Sequence, residues 1–162
     1  MSRLNSFIRR VTAQRDCLDH AVSLIGDAPG SVLELGLGNG RTFDHLRKSM
    51  PGRDIYVFDR HVKAHPDCIP DEEHMIVGDF RETVPAAAAK MAAPALLAHC
   101  DIGSGDKELS LALARELGAS LPALLQPGAI IVSDQPFHVK SWVALPLPEA
   151  VAPGRYHLYR QA

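Results

Sequence analysis

Three glycines at alternate positions, Gly36, Gly38 and Gly40, constrain this chain more than any other stretch. Ahead of them Ser31-Val32-Leu33-Glu34-Leu35 is a short, mostly apolar run suited to a strand. Behind them Phe43, Leu46 and Met50 fall on one helical face. The segment therefore reads as strand, tight turn and helix start. Glycine belongs in such a turn because it takes positive φ without steric cost and lets a ligand approach the backbone. The helix start behind it offers unpaired N–H groups to a carboxylate or phosphate. A dinucleotide fingerprint needs G-x-G-x-x-G. After Gly36 and Gly38 its third glycine would fall on Arg41, which argues against a nicotinamide dehydrogenase.

The flanking segments alternate in the manner of a parallel α/β sheet. Residues Ser2 to Gly26 repeat apolar side chains at three- and four-residue steps (Leu4, Phe7, Ile8, Val11, Leu18, Val22, Ile25) and predict one amphipathic helix. It packs on the sheet, lies over a ligand as a lid, or contacts another copy. Second, third, fourth and fifth strands are expected at 54–59, 74–79, 95–101 and 129–134. The alanine-rich stretch 86–93 reads as a helix. Residues 106–125 read as helical with a break at Gly118, after which Ser120 caps a short piece with Pro122 in its first turn. Trp142 to Leu147 and Arg155 to Arg160 supply two last strands.

Acidic residues end several of these strands. Asp59 closes the second, nineteen residues beyond Gly40, where nucleotide-binding α/β folds place an acceptor for ribose hydroxyls. Arg60 and His61 follow it directly, able to flank a base or to lie on a surface loop. Asp101 ends the fourth strand, at the crevice outside the carboxyl ends of the sheet. His99, inside that strand, reads more readily as a core histidine than as a catalytic one.

In order and spacing these segments resemble the class I S-adenosylmethionine-dependent methyltransferases, in particular the short, stand-alone bacterial members. Glu34-x-Gly36-x-Gly38-x-Gly40 is similar to their motif I, and Gly78-Asp79-Phe80 to their adenine segment. The resemblance implies a three-layer Rossmann-like fold: a seven-stranded, mostly parallel sheet with the last strand antiparallel, and an extra N-terminal helix. It implies S-adenosyl-L-methionine as cofactor, held by Glu34, Gly36, Gly38, Asn39, Gly40, Arg41, Thr42, Asp59, Arg60, His61, Gly78, Asp79, Phe80 and Asp101. In it Asp59 takes the ribose, Asp79 the adenine amine, and Phe80 covers the ring.

At the acceptor end, Asp101 and Asp134 are the candidate catalytic residues, binding or deprotonating a small molecule for O- or N-methylation. Simple displacement requires no metal, and none is assigned. Asp101, Asp134 and Gln135 also resemble the Mg²⁺ site of catechol-type O-methyltransferases, though with glutamine where that site has asparagine. The likeness of Asp134-Gln135-Pro136-Phe137 to an amino-methylating signature is discounted, because that signature belongs after the fourth strand. A non-catalytic module binding S-adenosylmethionine or a nucleotide is the alternative outside the enzyme class.

Composition bounds the partners. Formal net charge is −2, without the excess of basic residues that a nucleic-acid binder carries. Three scattered cysteines (Cys17, Cys68, Cys100) suit reduced thiols, and neither a membrane-length apolar run nor a signal core is seen. A soluble cytoplasmic enzyme is expected, one domain over residues 1–162 (N-terminal helix 1–26, core 31–162). The apolar faces of the N-terminal helix and of Trp142 further suggest a two-fold homo-oligomer.

Overall fold

The computed structural model describes all residues from Met1 to Ala162. Seven strands form one sheet: β1 (Ser31–Leu35), β2 (Ile55–Asp59), β3 (Met75–Val77), β4 (Ala95–Cys100), β5 (Leu125–Ser133), β6 (Trp142–Ala144) and β7 (His157–Gln161). Their order is β3-β2-β1-β4-β5-β7-β6. The first five are mutually parallel, and β7 runs antiparallel between β5 and β6. The order reverses between β1 and β4, so the glycine turn after β1 stands at the switch point. β1 and β4 are buried on both faces, as parallel strands with helices above and below must be.

The helices form the outer layers. α1 (Arg3–Ile25) and α2 (Arg41–Ser49) cover one face, where Cys17, Leu18, Ala21 and Leu46 meet Val32, Val57, Leu97 and Val132. α3 (Phe80–Ala86) and α4 (Lys107–Ser120) cover the other, where Val84, Ala114 and Leu117 meet Leu33, Leu35, Phe58 and Ile131. Burial pushes the Cys17 thiol up to about 12 and that of Cys100 well above its usual value, so neither is a thiolate at neutral pH.

Three expectations are corrected. The helix expected over 86–93 instead begins at Phe80, because the Asp79 side chain accepts from the Arg81 N–H and caps it. The alanine run contributes only the end of α3 and a 3₁₀ turn, Ala87–Ala89. α4 runs unbroken through Gly118, where a Cβ would stand 3.1 Å from Val139 Cγ2. Glycine there serves close packing, and a 3₁₀ turn, Leu121–Leu124, follows without a Ser120 side-chain cap. The Trp142 ring is not a free apolar face. It is 8% exposed, packed on Phe137 and Tyr159, and its Nε1 donates to Gln161 Oε1 at 2.6 Å.

Arg53 fixes the turn from α1 into β1. Its guanidinium donates to the carbonyls of Ala28 and Gly30, each at 2.8 Å, and reaches that of Gly26 at 3.4 Å. Three carbonyls without other partners at a helix end are what a guanidinium can serve and a shorter side chain cannot. Arg53→Ala is expected to lower unfolding free energy by about 1–2 kcal/mol in urea titration, with Arg53→Lys intermediate.

Candidate active site

A cleft of about 400 Å³ opens at the carboxyl ends of the strands, lined by Gly36, Asp59, Arg60, Asp79 and Phe80 on one side. Asp101, Ile102, Gly103 and Ser104 line the other, with Leu109, Ser110 and Leu113 of α4. Two strand-end carboxylates brace its loops. Asp59 Oδ2 accepts from the N–H groups of Leu37 (2.8 Å) and Gly38 (3.2 Å), and Oδ1 from that of His61 (3.1 Å). Asp134, just past β5, accepts from the N–H groups of Ile102 and Gly103, both at 3.0 Å, and from Gln135 Nε2 at 3.1 Å. Burial raises the Asp134 pKa, assisted by the nearby Asp101 charge, and outweighs these donors.

Asp79 pairs with the Arg60 guanidinium, and its pKa lies below the usual carboxylate range because the Arg81 N–H, and then Arg60, stabilise the charge. Asp101 Oδ2 accepts from Gln14 Nε2 at 3.1 Å, so α1 reaches the cleft through one buried amide.

The glycine turn is shaped by two contacts. A Cβ on Gly36 would strike the Asp101 carbonyl, and one on Gly40 would lie 2.6 Å from that of Cys68, both at positive φ. No side chain caps α2, so the N–H groups of its first turn stay available.

Of the residues expected to hold cofactor, Gly36, Asp59, Arg60, Asp79, Phe80 and Asp101 line the cleft. Gly38, Asn39 and His61 are exposed beside it, and Gly78 gives φ = 152° before α3. Gly40 is buried, and Arg41 instead faces α1, its guanidinium 5.9 Å from the Phe7 ring centre.

Glu34 is a correction. Strand alternation turns it away from the cleft onto the α1–α2 face, where it is fully buried. There it accepts from the Thr42 hydroxyl, and its Oε2 lies 2.7 Å from His99 Nδ1, so Glu34 and Thr42 engage each other. Sequence reasoning missed Gln14, Arg81 and the α4 residues Leu109, Ser110 and Leu113. The Asp106 cap was the available signal, since it sets α4's first turn against the loop after β4. No group of three or more His, Cys, Asp or Glu side chains gathers where it could hold a metal ion.

A family model described as S-adenosyl-L-methionine methyltransferase matches residues 1–161. The crystal structure of an S-adenosyl-L-methionine methyl transferase from Silicibacter pomeroyi DSS-3 is 42% identical, with a TM-score of 0.93 over 100% of this chain and 99% of that one. The chain belongs to the S-adenosyl-L-methionine methyltransferases. The methyltransferase is therefore an enzyme with that cofactor, and the alternative of a non-catalytic module falls away.

More distant structures share the fold. MycE of the mycinamycin biosynthetic pathway, crystallised with Mg and S-adenosylhomocysteine, is 18% identical (TM-score 0.58, covering 93% of this chain and 47% of that one). The N-methyltransferase NodS from Bradyrhizobium japonicum WM9 is 12% identical (TM-score 0.53, covering 99% and 98%). No curated protein sequence matches the methyltransferase.

The Glu34–His99 pair gives the methyltransferase a defined pH response. Burial alone would lower the His99 pKa, but the Glu34 carboxylate outweighs it and the net shift is upward. Its stabilisation is then complete below the unfolded value of about 6.5 and is lost as pH rises through the higher folded value. Unfolding free energy should fall across that window with a slope of up to about 1.4 kcal/mol per pH unit. Urea titrations against pH check this by comparison with a Glu34→Gln/His99→Gln double variant, which should lack that component. His74, also raised, titrates in both proteins and cancels.

Proposed function

We propose that this methyltransferase acts on a small-molecule acceptor at oxygen or nitrogen, with Asp101 as the acceptor-side base. The supporting observation is the cleft itself, which joins ribose- and base-type acceptors at one end to a single carboxylate, Asp101, at the other. The chain's net charge of −2 gives no electrostatic case for a polynucleotide acceptor.

The residues present fit the cofactor. Asp59 and Asp79 offer carboxylate oxygens to hydroxyl and amine donors, and Phe80 offers an apolar ring to a base. The uncapped start of α2 suits a carboxylate. When bound, S-adenosyl-L-methionine supplies an electrophilic methyl group on a sulfonium.

The chain's own work is then positional and basic. Asp59 keeps its two backbone donors in the glycine turn while turning a remaining lone pair to the ribose. Alignment of reactants is worth roughly 7–11 kcal/mol at best. Asp101, oriented by Gln14, takes the proton that the acceptor atom sheds. Asp134 holds Ile102 and Gly103 in the wall beside it, a positioning role behind the acceptor.

Two variants separate the ends of the site. Asp59→Asn should weaken S-adenosylhomocysteine by about tenfold or more in calorimetry, since it removes a charge-assisted contact of roughly 1.5–3 kcal/mol. It also loosens the glycine turn, so the melting temperature is followed in parallel. Asp101→Asn should cut turnover by about 10² or more, far beyond any change in that affinity, once cofactor consumption against a metabolite library has found an acceptor. Parent-like binding by a folded Asp59→Asn would show that the ribose assignment is wrong. Parent-like turnover by Asp101→Asn would remove the base.

A further inference from the structure

Three carboxylates meet at the ends of three neighbouring strands: Glu34 in β1, Asp101 just past β4 and Asp134 just past β5. The ladder runs on beyond the strand ends. The Asp101 N–H donates to the Leu35 carbonyl at 3.0 Å, and the Asp134 N–H to that of Cys100 at 3.1 Å. Glu34 is fully buried and the two aspartates are half-buried. Every donor to Asp101 and Asp134 is neutral, either a backbone N–H or the amide of Gln14 or Gln135. Such donors orient a carboxylate without balancing its charge, and like charges this close oppose one another's ionisation.

The one buried residue of the chain able to carry positive charge is His99. Its Nδ1 lies 2.7 Å from Glu34 Oε2, and its Nε2 has no hydrogen-bond partner. Strand alternation puts its side chain on the same face as that of Asp101, two residues on and about 7 Å along β4. Tyr156, just ahead of β7, stacks on the imidazole with ring centres 6.3 Å apart. To that face α1 brings Gln14 and the Cys17 thiol and α2 brings Thr42, none of them a cation. Burial opposes the imidazolium, but Glu34 first, and then Asp101 and Asp134, outweigh it. We propose that His99 is a positioning residue for methyl transfer: as an imidazolium it is the counter-charge that Asp101 shares with Glu34, holding Asp101 in the ionised form that receives the acceptor's proton. His99 keeps its own protons throughout. The proposal rests on Asp101 being the acceptor-side base.

A ¹⁵N NMR titration of the His99 ring reads the coupling without an acceptor. Asp101→Asn removes one of the charges that His99 serves, so the His99 midpoint should fall by about one pH unit. Asp59→Asn takes a carboxylate from the same cleft two strands away, and should leave the midpoint in place. An unmoved midpoint in a folded Asp101→Asn, or an equal movement in both variants, overturns the proposal. With an acceptor in hand, His99→Gln should move the acid limb of kcat/KM to higher pH. A lower plateau with an unmoved limb would mean a structural role only, and overturns the proposal. Should His99→Gln fail to fold with Glu34 left unpaired, the Asp101→Asn titration still decides. Parent-like turnover by Asp101→Asn overturns the base reading and this proposal with it. Lost turnover with an unmoved His99 midpoint overturns the role of His99 alone.

Discussion

A carboxylate and an imidazole with no solvent exposure face each other across the two central strands of the sheet. Buried charges cost several kcal/mol each unless they are paired, so Glu34 and His99 are each the condition for the other. They sit opposite one another in the β1–β4 register, close to where the strand order reverses. Glu34 also takes the Thr42 hydroxyl, which ties the first turn of α2 to the strand beneath it. The strand behind the crevice is thus tied to α2 and to β4 by one buried polar cluster.

The cleft side follows a second rule, in which each strand-end aspartate serves backbone N–H groups first. Asp59 gathers three, Asp134 two, and Asp79 one at the start of α3. Loops leaving a parallel sheet have donors that no strand neighbour can satisfy, and an ionised carboxylate offers about four acceptor positions. Bracing a loop and meeting a ligand are therefore compatible tasks for one side chain. A site whose acceptors are already oriented by such bonds needs little rearrangement when charge develops in it.

The sheet was legible because its strands are apolar runs bounded by Pro and Gly, and because Gly36 and Gly40 need both positive φ and an absent Cβ. What escaped reading depended on neighbours distant in sequence. Composition favoured a helix in the alanine run, but one Asp79 cap started it earlier. Gly118 looked like a break because the approach of Val139 is a tertiary fact. Glu34 carries the motif position of a ligand contact, yet the period of two turns it to the opposite face, and only the fold reveals His99 waiting there. Gln14 was hidden for the same reason: on its helix it is one polar residue in an apolar face, and its partner is 87 positions away.

That single polar residue also accounts for how α1 is set on the sheet. Ala13, Cys17 and Ala21 are small, so the helix lies close on β4 and β5. The bond from Gln14 to Asp101 adds a polar lock to that packing, because a buried amide and a carboxylate that lose each other leave two unsatisfied groups. Slippage by one residue would also rotate Leu18 and Ile25 by about 100° out of their packing. The helix is consequently fixed in register by a contact made inside the cleft. The setting of its exposed first half on the core thus depends on the same carboxylate that lines the cleft.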